Sequence, residues 1–282
     1  MKELIEKFLD YLEKVATRNT VLAYKVDLGQ FDRFLRSYPK GVTLEEGDQR
    51  TIIDYFNSLK RARYSNSSIN RKFAALKSFF NYLTAKGILK VNPIEEMVYP
   101  ERVGKVRPQI LTIEEIAELL EMPGRSSKPE ATRDSAMMEL LYGTGVQVTE
   151  LISLDINIVN LDPSSPYIKV KHDGKERVIP IPPRAVQALS QYLKEVRPIF
   201  VGEKIEKALF LNLRGERITR QGFWVKLRKY AKQVGLEGKV TPRTLRHSFA
   251  AHQLESGMPL KELQQRLGHA YPETTSKYRG IL

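Results

Sequence analysis

The chain contains no cysteine and a single tryptophan. Without thiols there is no disulfide framework, no thiolate nucleophile and no cysteine-held zinc or iron–sulfur cluster. No apolar run approaches the roughly 20 residues that a membrane span needs. The opening Met1-Lys2-Glu3-Leu4-Ile5-Glu6 carries acids where a signal peptide requires an apolar centre, so a soluble, cytoplasmic chain is expected. Histidines number four, and His247 and His252 lack the i, i+4 spacing of a helical zinc pair, so neither a metal nor another cofactor is expected. What is present is ordinary for a globular protein: 282 residues, 41% hydrophobic and 28% charged. At about 150 residues per domain, that length suggests two domains.

Charge is the first positive signal. The net charge is +13, and it is not a tail: 18 basic and 13 acidic residues precede the cut at Val103, and 28 and 20 follow it. Two basic domains are the footprint of a protein that gains affinity by releasing phosphate counterions. A merely basic soluble protein is the plain alternative. A membrane-surface role is disfavoured, because no stretch joins a cationic face to a strong apolar one.

Apolar periodicity gives the organisation. Leu4, Ile5, Phe8, Leu9, Leu12 and Val15 share one helical face over residues 3–15. A second helix follows the cap residues Thr17-Arg18-Asn19-Thr20, a third covers about Arg50–Arg61 with Ile52, Ile53, Phe56 and Leu59 inward, and a fourth follows Ser65-Asn66-Ser67-Ser68. Residues 1–98 therefore read as a helical bundle and 99–110, aperiodic and proline-bearing, as a linker. In residues 111–282, Thr112 and Glu115 form a capping-box pattern, and further helices are expected near 133–142, 183–196, 219–234, 243–256 and 259–267. Tyr167–Lys171 and Glu176–Ile181 form a strand pair around His172-Asp173-Gly174-Lys175. The fold class expected is mainly α with one small β-sheet.

Four ordered blocks carry a resemblance. They are LLYGTGVQVTEL (140–151), KERVIP (175–180), TPRTLRHSFA (241–250) and LGHAYPETTSKY (267–278). Together they resemble the tyrosine recombinases of the phage integrase family, most closely the Xer type. Asn19-Thr20, Tyr24, Asp27-Leu28 and Ser68-Ile69-Asn70-Arg71 likewise resemble that family's core-binding domain. The resemblance implies a C-shaped clamp on duplex DNA. In it a tyrosine hydroxyl attacks the scissile phosphate, forms a 3′-phosphotyrosine and frees a 5′-hydroxyl end without metal or ATP. The chemistry requires those residue types. A phenol titrating near pH 10 must be helped to lose its proton, and with no metal, arginines must hold the charge that gathers on the phosphate oxygens.

Carried over residue by residue, Tyr278 fills the nucleophile slot, Arg246 the second arginine and His269 the histidine nine residues before the tyrosine. Three slots depart. Gln147 stands where the family has its first arginine, Arg243 stands three residues before Arg246 where it has a histidine, and His172 stands at the hairpin lysine. Lys175 or Lys171 is then the candidate leaving-group acid, and Arg243 a substitute phosphate clamp. The opposite changes at 147 and 243 leave the formal charge nearly constant. Two readings stay open: a recombinase with activity attenuated by these changes, and a DNA-binding architectural or regulatory protein of the same fold that no longer cleaves. A helix-turn-helix transcription factor is a remoter third.

Arg71, Lys72, Lys77, Lys105, Arg220 and Lys226 are candidate DNA contacts, as members of basic runs on helices and linker. Double-stranded DNA is the expected partner, bound as a homotetramer. Only Arg279–Leu282 follow the tyrosine, whereas Xer-like relatives continue into a docking helix, so a monomer or weak oligomer is expected off DNA.

Overall fold

A computed structural model describes residues 1–38, 49–97, 107–172 and 174–281. The chain divides into two compact units, Met1–Val106 and Arg107–Leu282. Lys105, most of the expected linker, Asp173 of the hairpin turn and the side chain of His172 lie outside the described residues.

The first unit packs α1 (Lys2–Leu12), α2 (Arg18–Ser37), α3 (Gln49–Arg61) and α4 (Asn66–Ala85). Thr17 Oγ1 accepts the Thr20 N–H and Ser65 Oγ accepts the Ser68 N–H, both at 3.3 Å, which satisfies donors left free at the starts of α2 and α4. Phe8, Leu28, Phe31, Phe56, Leu76 and Phe79 fill the core. Phe8 meets Phe79 edge-on at 5.4 Å, and Phe31 meets Tyr55 at 5.0 Å.

Three expectations fail in this unit. Helix α1 stops at Leu12, so Val15 leaves the apolar stripe and is exposed. Ile53 faces out and Tyr55 takes the inward place, because the buried stripe runs Ile52, Tyr55, Phe56, Leu59 at i, i+3, i+4 and i+7, and Ile53 lies off it. Lys72 is no surface contact: it is 3% exposed, and its ammonium donates to Asp27 at 2.7 Å and Gln30 at 2.6 Å. Arg71 reaches the other oxygen of the same fully buried Asp27 carboxylate, and Lys77 remains exposed.

In the second unit, α5 (Ile113–Glu121) starts at a capping box with both bonds formed between Thr112 and Glu115. Helix α6 (Pro129–Thr144) buries Ala136, Met137, Met138, Leu140 and Leu141 in near succession, so it is surrounded rather than amphipathic. The short α7 (Val148–Ser153) follows. Strands β1 (Val159–Asn160), β2 (Tyr167–His172) and β3 (Lys175–Pro180) form an antiparallel sheet in that order, with Lys171 opposite Glu176 and His172 opposite Lys175.

Then come α8 (Pro183–Gln191), a π turn over Tyr192–Val196, α9 (Arg197–Val201), α10 (Arg220–Gln233), α11 (Pro242–Glu255), α12 (Leu260–Leu267) and α13 (Pro272–Ser276). A small separate core of Phe249, Ala250, Leu263, Leu267 and Tyr278 joins α11 and α12 to the segment after α13. None of the described helices is long and apolar enough to cross a membrane.

Candidate active site

Helix α11 is the spine of the site. Thr241 Oγ1 accepts the Thr244 N–H at 3.0 Å and Pro242 occupies the first turn, which fixes where the helix starts. Arg243, Arg246 and His247 then stand at i, i+3 and i+4, on one face.

The Arg246 guanidinium is 8% exposed. It donates to the carbonyls of Gly145 at 2.8 Å and Leu267 at 2.6 Å, at the C-terminal ends of α6 and α12. Both helix ends carry partial negative charge, so backbone dipoles hold the cation and aim it. Each end closes on a left-handed glycine. A Cβ at Gly145 (φ 65°) would lie 2.2 Å from the Phe249 ring, and one at Gly268 (φ 71°) would lie 2.9 Å from Arg177 Nη1.

Glu150, on the first turn of α7, organises the rest. Its carboxylate accepts Gln147 N–H at 2.7 Å and a bidentate pair from Arg177 at 2.7 and 2.8 Å, with Arg246 Nη1 at 3.9 Å. Arg177 Nε also donates to the Arg266 carbonyl at 2.9 Å. Strand β3 is thereby tied to α7 and α12.

Tyr278 closes the arrangement. It is 2% exposed, and its Oη lies 2.5 Å from His247 Nδ1. The ring sits between two imidazoles, with His247 at 5.4 Å and His269 stacked at 6.5 Å, and Lys277 Nζ lies 5.0 Å from its centre. His269 Nδ1 pairs with Thr275 Oγ1 at 2.8 Å. Burial pushes the phenol up to about 12, against the pull of Arg246 and Arg243. His247 and His269 fall to about 4, chiefly through burial and then through neighbouring cations, so both are neutral at pH 7. The Lys277 ammonium is lowered by burial, then by Arg243 and Arg246.

Tyr278, Arg246, His247, His269 and Lys277 open on one cleft of about 940 Å³. Of the residues singled out in the sequence, Tyr278, Arg246, His269, Arg243, Gln147 and Arg220 line it. Lys171 and Lys175 do not; both are exposed on the hairpin strands. Lys226 points to Glu130 at 3.9 Å, outside the cleft. Three contributors escaped the sequence reading as active-site groups: Lys277, His247 and Arg177. Arg177 stands in the KERVIP block and His247 in TPRTLRHSFA, so block membership was their available signal. Lys277 stands in LGHAYPETTSKY, beside the tyrosine, and had the same signal.

The arrangement gathers cations around a phenol and neutral imidazoles, which suits an anionic centre under nucleophilic attack. Residues 109–281 match the model of the phage integrase family, and residues 5–87 match the N-terminal SAM-like domain of phage integrases. The chain is 42% identical over its whole length to a tyrosine recombinase XerC of Herpetosiphon aurantiacus, covering 91% of that protein. It is 38% identical over its whole length to a tyrosine recombinase XerD of Listeria innocua, covering 95% of it. Among solved structures, a XerH site-specific recombinase bound to palindromic difH substrate in a post-cleavage complex superposes with a TM-score of 0.80 at 21% identity. That match covers 96% of this chain and 80% of the other.

Proposed function

The chain belongs to the phage integrase family of tyrosine recombinases, and from that premise we propose that Tyr278 is the nucleophile of its strand-cleavage reaction. The activity is site-specific recombination, the breaking and rejoining of duplex DNA. Oη of Tyr278 attacks the scissile phosphorus, the bond to the 5′ oxygen breaks, and a 3′-phosphotyrosine forms. The proton lost by the phenol is balanced by the one the departing 5′ oxygen takes up. One phosphodiester replaces another, so ATP is unnecessary and the step reverses when a 5′-hydroxyl returns.

The observation that carries this reading is the convergence of Tyr278, Arg246, Arg243 and His269 on one cleft. Arg246 keeps three of its five N–H groups beyond the two given to carbonyls, enough to grip non-bridging oxygens. Arg243, Lys277 and Arg220 add charge around it. In-line displacement puts the leaving oxygen on the side away from Tyr278. The leaving-group acid must therefore come from a distinct element, and the hairpin lysines Lys171 and Lys175 are our candidates. Missing donors slow the reaction: one charge-stabilising group is worth about 10²–10³ in rate. We assign the chain an attenuated rather than an abolished activity, because Arg243 supplies a cation where Gln147 supplies none. Exchange between two duplexes needs four cleavages, and one Tyr278 per chain implies a tetramer on DNA.

The test is covalent capture. A randomised pool of nicked suicide duplexes is incubated with the protein, and species that survive detergent are recovered and sequenced. A covalent adduct that disappears in Tyr278→Phe supports the reading. Saturated binding without any adduct would instead leave an architectural DNA-binding protein.

A further inference from the structure

Arg243 was expected to replace a histidine as a phosphate clamp, yet its Nε points elsewhere: it donates to Nε2 of His247 at 3.0 Å. A guanidinium has donors only, so Nε2 must present its lone pair. A neutral imidazole carries one N–H, which the Arg243 bond therefore places on Nδ1. That nitrogen stands 2.5 Å from Oη of Tyr278. We infer that Arg243 is a positioning residue, fixing His247 as the Nδ1–H tautomer so that it donates a hydrogen bond to the attacking phenol instead of taking its proton.

The surroundings of His247 support this. Burial, and then the basic groups that bear on it, Lys277 beside the tyrosine, Arg243 and Arg246 on its own helix and the neutral His269 after α12, keep the ring uncharged. A bond to an anionic oxygen is roughly twice as strong as one to a neutral oxygen, so the Nδ1–H bond tightens as the phenol loses its proton. It thus favours the transition state over the resting enzyme and opposes the burial that holds the phenol up. With Nδ1 already protonated, the phenolic proton leaves to water in the cleft, and the 5′ oxygen recovers a proton from the leaving-group acid. The terminal nitrogens of Arg243 stay available for the phosphate, so one side chain serves both jobs.

This inference rests on Tyr278 being the nucleophile, and two measurements on the full-length protein separate the two ideas. The first is the ¹⁵N spectrum of the imidazoles between pH 6 and 8, with His247 assigned by its loss in His247→Asn. A protonated Nδ1 and bare Nε2 are expected, and Arg243→Ala should move the ring toward the Nε2–H form. A bare Nδ1 in the unaltered protein would overturn the inference, whatever the activity.

The second is the single-turnover rate of adduct formation on a nicked duplex. Arg243→Ala and His247→Ala should each slow it on the order of 10²-fold. Asparagine places an amide N–H where Nδ1 stands but cannot accept a proton, so His247→Asn should recover about tenfold or more over His247→Ala. An asparagine variant as slow as the alanine one would mean that His247 works as a base, and would overturn the inference. If the unaltered protein forms no adduct, the nucleophile assignment fails, and the nitrogen spectrum tells that failure apart from this one.

Discussion

Each unit holds cations against its interior, and the two do so in opposite ways. Around α2 and α4, the Lys72 ammonium and the Arg71 guanidinium share the two oxygens of Asp27, which is wholly buried. In the cleft of the second unit, Arg246 leans on two carbonyls with Glu150 only at 3.9 Å, and Arg243 donates to an imidazole. In the first cluster a buried carboxylate answers the buried ammonium, and only the exposed Arg71 is left in excess. The other keeps an excess of positive charge that a phosphate can answer. Burying a charge without a partner costs far more than burying it paired, so the unpaired set weighs more heavily on stability than the paired one.

Removing a cleft cation breaks the comparison hardest. Arg246→Ala should lower the single-turnover cleavage rate by about 10³–10⁵, the range for a dedicated transition-state arginine. Because a lysine ammonium cannot hold both carbonyls and still offer the planar fork of a guanidinium, Arg246→Lys should recover little of that. Binding of duplex DNA, followed by titration at fixed salt, should change far less than the rate.

The paired cluster responds in stability instead. Asp27→Ala leaves a buried ammonium uncompensated, and the first unit should lose about 3–5 kcal/mol in denaturant unfolding. Changing Lys72→Met in the same chain should restore most of it, since an apolar pair of similar volume removes both the charge and its cost. A double variant as unstable as the single one would show that the ion pair itself, not the orphaned charge, matters.

Acid distinguishes the units next. All four histidines, His172, His247, His252 and His269, lie in the second unit. Those at 247 and 269 titrate near 4 in the fold, below the usual 6.5. The unfolded chain then binds more protons than the folded one between those values. The stability the histidines contribute is complete above pH 6.5 and is lost as pH falls toward 4. The thermal midpoint of the second unit should drop between pH 6.5 and 5, while that of the first holds steady until carboxylates titrate. Equal slopes for both units would contradict the neutral imidazoles.

Much of this was legible in the order of residues, and the misses have physical reasons. Long helices with a 3.6-residue stripe announced themselves, and the Thr112–Glu115 capping box needed no tertiary context. Helices α7 and α13 did not, because six and five residues are too few to show a period. Lys72 looked like one more basic residue beside Arg71, since its partner Asp27 lies 45 positions away and only folding brings them together. What the cleft lysine at 277 does is hidden for the same reason: its meaning comes from Arg243 and Arg246 on another helix. The family's slots identified residue types, whereas the link from Arg243 through His247 to Tyr278 is a matter of which atoms face each other.

The smallest effect is the most instructive about the altered slots. Gln147 and Arg243 both line the cleft, and the first has lost a charge where the second has gained one. If the cleft holds its phosphate mainly by summed positive charge, Gln147→Arg adds a cation to a site already supplied from the other side. The neighbouring guanidinium of Arg246 and the ammonium of Lys277 also resist a further one. The gain in single-turnover cleavage should then stay below about tenfold, well short of the 10²–10³ that a missing donor normally costs. A larger gain would show that position matters more than total charge, and that Arg243 is occupied with His247 rather than with the phosphate. Combining Gln147→Arg with Arg243→His, a return toward the family's pattern at both places, decides between these accounts, because only charge compensation expects the double variant to cleave about as fast as the unaltered chain.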